Sequence, residues 1–344
     1  MSIRALAAEL NISIGTVSRA LNDRPDVNEE TRKKVLETAE RLGYAPRLSG
    51  TSLRNGRTKT IGFMIETTGF TSIHGESFFM TIFDGLQNLF GSHDLDLIVL
   101  LCGSNQDPYE YLKRIVQQRF VDGVILSAIK PDDERVSFLT ASGLPFVTLG
   151  RTGTNDTHPW ADLDLDNLAA QSVARFVSQG YRRIGLIKDN TGLNVDSIIE
   201  KGFRAYLAEA GLSLDENHVL TVSPDDAGGY RAATELLAQT NPPDAVFLVA
   251  EAMAMGVYRR LSEVGKTAGR DLGVIGQRNN PLCRSMQPSL TAFDVDLNAL
   301  GAALGRLLLS HIPHFRSHFP VAESQLLWPL TLYEGESDAK QTLT

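Results

Sequence analysis

From Lys59 onward the chain alternates short β-branched runs with amphipathic stretches, and no other feature narrows the possible folds as much. Residues 60–65, 95–101, 123–127, 146–149, 183–187, 245–249 and 272–275 read as strands. Residues 79–89, 108–118, 136–141, 165–179, 197–210, 227–239 and 251–263 read as helices between and after them. Parallel strands need a long crossover, which a helix supplies, so this order predicts parallel sheets covered on both faces. Two such blocks, about 60–158 and 160–288, predict two doubly wound lobes with a ligand cleft at the carboxyl ends of their strands.

The first 57 residues follow a different rule. Ile3, Leu6, Ala7 and Leu10 recur at helical spacing, predicting a helix from Ser2 to Glu9 that Asn11 ends. Ser13 is placed to cap a second helix, in which Val17, Ala20 and Leu21 make one apolar face. Gly15, Thr16, Ser18, Arg19 and Asn22 lie elsewhere on it, the composition of a helix that reads a DNA major groove. Asp23-Arg24-Pro25-Asp26 reads as a loop, because Pro25 lacks a donor and biases Arg24 away from helix. Asn28 then caps a third helix, with Glu29 and Glu30 in its first turn and Arg41 in its last. Val35, Leu36, Ala39 and Leu42 are its expected core face, and Gly43 its C′ residue. Two short helices joined by a few residues make a helix-turn-helix.

Three separated runs now make a specific match. Thr16-Val17-Ser18-Arg19-Ala20-Leu21-Asn22, then Val27 to Val35, then Leu42-Gly43-Tyr44-Ala45-Pro46 resemble the LacI/GalR family of bacterial transcription regulators. The resemblance extends through Asp164-Leu165-Asp166-Asn167, Phe176 and Gly180 to Gly185, and so covers nearly the whole chain. It implies a helix-turn-helix domain over 1–45, a hinge helix over 46–57 and a two-lobed core over 58–344 similar to periplasmic sugar-binding proteins. Lobe 1 is expected at about 58–158 and 290–320, and lobe 2 at about 159–289 and 321–336, with later crossings at 287–293 and 317–323.

The same resemblance assigns roles. Ile14, Gly15 and Ser18 would face base edges, with Arg19 the strongest reader through paired bonds to guanine. Ser13, Asn22, Asn28, Thr31 and Tyr44 would hold phosphates, and Thr16 belongs to the same DNA-binding set. Gly15 stands where many relatives carry a long polar side chain, so direct reading at that base pair is expected to be weak. Leu53 matches the hinge leucine that wedges into the minor groove. Gly50 replaces the usual Ala there, at a cost of about 1 kcal/mol in a helix interior. In the cleft the resemblance places Glu66, Phe78, Phe79, Ser127, Arg151, Ile199, Glu251 and Arg278 against an effector. Sugar-binding relatives usually carry Arg at Ile199, Asn at Ala250 and Asp at Arg278. With Arg278 and Arg151 present instead, sugar acids and sugar phosphates join sugars as expected effectors.

Charge agrees with this division. Residues 1–57 hold ten Lys/Arg against seven Asp/Glu, while the remainder hold 23 against 34, so an acidic whole conceals a basic end. Cys102 and Cys283 have no metal-ligand spacing, and no run approaches the roughly 18 apolar residues of a membrane span. A cytosolic chain without disulfides, cofactor or metal is expected. Asp162-x-Asp164-x-Asp166 opens like a calcium loop, but Asn167 and Val173 stand where Gly and Glu are needed. Gly265-Lys266-Thr267 ends like a phosphate loop that Arg260 fails to open. Pro313 separates His311 from His314 and His318. No catalytic constellation emerges, so the expectation is a non-enzymatic, homodimeric, ligand-responsive repressor of a carbohydrate or sugar-acid operon, acting on near-palindromic DNA. The tail 336–344 lacks the leucine heptads of tetrameric relatives. The alternative is a transport-type binding protein of the same two-lobed fold, which would need an export signal.

Overall fold

A computed structural model of the chain describes residues 2–21, 24–44, 57–67, 73–153, 157–320 and 323–340. It divides into two compact units, 1–59 and 60–344. Asn22, Leu53 and nearly all of the expected hinge helix lie outside the described residues.

In the first unit, α1 (Ile3–Glu9) is capped by Ser2, whose Oγ accepts from Ala5 N at 3.3 Å. Asn11 turns the chain with φ 52°, a conformation Asn tolerates better than most residues. Helix α2 (Ile14–Leu21) starts at Ser13, whose Oγ accepts from Thr16 N at 3.0 Å. Helix α3 (Glu29–Arg41) starts at Asn28, whose Oδ1 accepts from Glu30 N at 2.8 Å. It ends in a Schellman turn: Gly43 at φ 60°, Tyr44 N to Ala39 O at 2.8 Å and Gly43 N to Glu40 O at 3.0 Å. Leu6, Ala7, Val17, Ala20, Val35 and Ala39 form the core. Leu36 does not join it; it is 49% exposed, because α3 turns Val35 and Ala39 inward instead.

The second unit opens with β1 (Thr60–Glu66), α4 (Ile73–Gly91), β2 (Asp96–Cys102), α5 (Pro108–Gln118), β3 (Gly123–Leu126), α6 (Glu134–Ser142), β4 (Phe146–Leu149) and β5 (Trp160–Leu163). It continues with α7 (Leu165–Ser178), β6 (Ile184–Asp189), α8 (Asn194–Glu209), β7 (Val219–Val222), α9 (Asp226–Leu237), β8 (Ala245–Leu248), α10 (Met253–Glu263) and β9 (Gly273–Gly276). Helix α11 (Pro281–Ser285), β10 (Ala292–Asp294), α12 (Leu297–His311), β11 (Gln325–Trp328) and β12 (Thr331–Tyr333) complete it.

Six parallel strands in the order β11-β5-β4-β3-β1-β2 form the lobe 1 sheet, and four in the order β7-β6-β8-β9 form that of lobe 2. Both faces of β1 are buried: Ile61, Phe63 and Ile65 pack with Ile82 and Leu86 of α4, while Met64 packs with Leu112 of α5. On the first of these faces α4 and α12 cross so closely that a Cβ on Gly85 would lie 2.0 Å from Asn298 O.

The lobe boundaries need correction. Trp160–Leu163 and Gln325–Trp328 were expected in lobe 2, but they pair with each other and extend the lobe 1 sheet. The chain therefore first changes lobe after Leu163 and last after Trp328, where β12 pairs antiparallel with β10. Strands β5 and β11 are four residues each and lie at the far end of the sheet, so neither carries a helix-separated pattern of its own.

Candidate functional site

Two surfaces gather the predicted site residues. On the first unit, Ser13, Ile14, Gly15 and Arg19 of the second helix and its cap are exposed, Ile14 at 45%. Thr16 and Ser18 are half-buried, as are Thr31 and Tyr44, and Asn28 is exposed. Arg19 lies back along the helix. Its Nε donates to Gly15 O at 3.3 Å and its Nη1 meets Asp26 Oδ2 at 3.1 Å. A Cβ on Gly15 would sit 3.4 Å from Arg19 Nη2, so the missing side chain leaves room for that conformation. Asp26, the partner of Arg19, was read only as part of a loop.

The second surface is a cavity of about 260 Å³ at the carboxyl ends of both parallel sheets. Glu66 ends β1 and Ser127 follows β3, the neighbouring strands where lobe 1 changes winding direction. Asp189 ends β6 and Glu251 follows β8, the equivalent pair in lobe 2. Crevices form at such points because successive crossovers leave to opposite faces. Glu66, Phe78, Phe79, Ser127, Arg151, Glu251 and Arg278 all line this cavity.

Ile199 does not. It is fully buried with Phe203 and Leu207, four and eight residues on, so that stripe of α8 faces the lobe core. Helix α8 begins at Asn194 rather than Ser197, and Asn194, Val195 and Ile198 present its cleft side.

The cavity's charged groups are mostly paired already. Arg278 Nη2 meets Glu251 Oε1 at 3.2 Å, and its guanidinium lies 4.3 Å from the Phe78 ring centroid. Arg151 Nε meets Asp162 Oδ2 at 3.4 Å and its Nη2 meets Asp166 Oδ2 at 2.6 Å. Glu66 is held from behind by Arg135, which also binds Asp133 at 2.6 Å and the carbonyl of Ala128 at 2.8 Å. Arg151 and Arg278, the expected anion-binding groups, each already carry a carboxylate, which an incoming anion would have to displace or sit beside.

Burial pushes the Asp162 carboxyl up to about 6, against the pull of Arg151. Burial, with the Asp189 carboxylate next to it, pushes Asp196 up to about 8. Sequence reasoning overlooked Asp189, Asn194 and Gln277, all cavity-lining. The rule that ligands sit at strand carboxyl ends would have reached Asp189 and Gln277, which end or follow β6 and β9. Asn194 also joins the lobes: its N donates to Ile129 O at 2.9 Å and its Nδ2 to Arg151 O at 2.9 Å. Among the described residues no three His, Cys, Asp or Glu gather as metal ligands, and no helix is long and apolar enough to cross a membrane.

Comparison with known proteins covers both units. Residues 2–47 match the model described as bacterial regulatory proteins, lacI family, and residues 58–332 match periplasmic binding proteins and sugar binding domain of LacI family. The HTH-type transcriptional regulator AglR of Rhizobium meliloti is 30% identical, over 91% of this chain and 88% of its own. The ribose operon repressor of Haemophilus influenzae is 26% identical, over 90% of this chain and 92% of its own. The structure of the lac repressor dimer bound to operator and the anti-inducer ONPF superposes with a TM-score of 0.84 at 19% identity, over 98% of this chain and 99% of that one.

Proposed function

The chain belongs to the LacI family of bacterial regulatory proteins, and from that premise we propose that it is a cytosolic homodimeric repressor of a carbohydrate catabolic operon. The family is one of transcription regulators and not of enzymes. The observation that carries the reading is one chain joining a helix-turn-helix, its polar helix face exposed, to a small cavity at the switch points of two parallel sheets. A relative named for the ribose operon supports a carbohydrate effector and repression.

On the operator, Arg19 would leave Asp26 for the O6 and N7 of a guanine, and Ile14 would meet a thymine methyl. Ser18 would read an adjacent base edge. Ser13, Thr16, Asn22, Asn28, Thr31 and Tyr44 would hold the backbone, and Leu53 would wedge the central step. A second copy would cover the apolar edge of lobe 1, where Val99 and Leu101 of β2 are 42% and 56% exposed. Two-fold symmetry then calls for near-palindromic DNA.

In the cavity, paired guanidinium and carboxylate groups offer donors and acceptors side by side, as hydroxyls require. The volume of about 260 Å³ lies below the roughly 300–1,000 Å³ of drug-sized sites, so the effector is of monosaccharide size. Sugar acids and sugar phosphates fit this charge pattern poorly.

The test is anisotropy titration of the full chain against a duplex selected from a random pool, at several salt concentrations. The expected result is a palindromic selected site, with log K falling by about 0.9 per phosphate contact for each unit of log salt. Equal affinity for a scrambled duplex would refute the reading.

A further inference from the structure

The lobe 2 side of the cavity carries negative charge that the described residues do not match. Strands β6 and β8 are neighbours, in register at Ile187 and Leu248 and still bonded from Val249 N to Ile187 O at 3.1 Å. Asp189 and Glu251 therefore stand at or just past the carboxyl ends of adjacent strands, and both line the cavity. Glu251 gives one oxygen to Arg278, and also to Asn280 Nδ2 at 3.4 Å. Its other oxygen is shielded and meets no donor among the described residues, although the side chain is only 4% exposed. Asp189 accepts from Thr191 N at 2.7 Å and from the Thr191 hydroxyl. Among the described residues it has no Lys, Arg or His within ion-pair distance. Lobe 1 differs, since Glu66 answers Arg135 and Asp162 answers Arg151.

We propose that the effector carries a protonated amine, seated against Asp189 and Glu251, while its hydroxyls use the paired groups of lobe 1. The proposal rests on the cavity being the effector site. A buried acceptor without a donor is costly, and a carboxylate without a counter-ion more so. Water could supply the missing hydrogen bond to Glu251 but not the missing charge beside Asp189. A divalent metal is the poorer candidate, because two carboxylates without a third ligand leave most of its coordination empty. Burial and the neighbouring Asp189 carboxylate push the Asp196 carboxyl up, so a second negative charge on this pair is disfavoured. An ammonium has three donors and therefore suits two carboxylates that line one cavity.

The experiment is calorimetric titration of the full chain at neutral pH with matched hexoses: glucose, galactose and mannose, their amino counterparts, gluconate and a glucose phosphate. At least one amino sugar is expected to bind about tenfold tighter than its parent, equivalent to about 1.4 kcal/mol. Its N-acetyl derivative should lose that advantage, and Asp189→Asn should bring the pair to within about twofold. Glu251→Gln, which preserves shape, should reduce the preference in the same direction. Parent sugars binding as tightly as amines, an acid or phosphate binding best, or no member binding would each overturn the proposal. Operator titration of the same preparation separates the outcomes. Operator binding released by a neutral sugar overturns the amine and leaves the regulator intact, whereas absence of specific operator binding overturns the regulator itself.

Discussion

Replacing Asp196 by Asn should make the protein more stable at alkaline pH and leave it unchanged in acid. Asp196 stands in the first turn of α8, 8% exposed, with its carboxyl pushed from 3.8 to about 8 by burial and by Asp189. A carboxyl whose folded value lies above its unfolded value favours the folded state below the unfolded value. That advantage is lost as pH rises through the folded value. At pH 7 the unfolded chain has released this proton and the folded chain has mostly kept it. From 3.8 to pH 7 is about three pH units at about 1.4 kcal/mol each, so the cost at pH 7 has a ceiling of about 4 kcal/mol. Asn is neutral at every pH and nearly the same shape. Its Oδ1 can still accept from Asp189 N, which lies 3.2 Å away, and its amide can donate to the Asp189 carboxylate. Urea unfolding of both proteins from pH 4 to pH 9 measures the effect. The curves should meet near pH 4 and part steadily, with the variant ahead by about 2–4 kcal/mol at pH 8. Parallel curves, or a wild type more stable at pH 8, would show that Asp196 does not hold its proton in the folded state.

Gly85→Ala should destabilise by about 1–3 kcal/mol, since its Cβ would meet Asn298 O at 2.0 Å and force α4 from α12; an unmoved urea midpoint would contradict that packing. Arg135→Met should cost about 3–5 kcal/mol, because Asp133, whose side chain is 2% exposed, would lose its counter-ion and Glu66 its anchor. The loss should shrink at low pH, where Asp133 can take a proton, and a pH-independent loss would point to packing instead. Arg19→Ala should weaken the selected operator by about 1–3 kcal/mol and relax preference at one base pair. A uniform loss across all sequences would make Arg19 a phosphate contact.

Much of the fold was legible because its periodicities are local. Strand 146–149 and helix 108–118 coincide with β4 and α5, where β-branched residues or a cap and an apolar stripe act within one element. The Ser13 and Asn28 caps and the Gly43 turn were equally local. Elements that owe their state to neighbours were not seen. Strands β5 and β11 exist by pairing with each other across more than 150 residues, and β10 and β12 by pairing antiparallel. Helix α12 is buried on most sides, so it lacks the polar face that marks a helix in sequence. In the cavity, seven of the eight expected residues line the wall. Ile199 failed by one residue of helical phase, which carries about 100° around α8.

The sequence by itself determined the class of molecule: three short helices with an exposed polar face, then alternating strands and helices that must build parallel sheets. Capping, periodicity and crossover chirality act over tens of residues, and a linear reading reaches them. Only the tertiary structure decided which of the cavity's charges are paired. Arg151 and Arg278 look like anion binders in a list of residues. Asp162, Asp166 and Glu251 neutralise them through ion pairs at 3.4, 2.6 and 3.2 Å. Asp189, unremarked in the sequence, lines the same cavity as Glu251 with no Lys, Arg or His in ion-pair distance among the described residues. Charge complementarity depends on distances between side chains that folding brings together, and those distances are absent from the order of the residues.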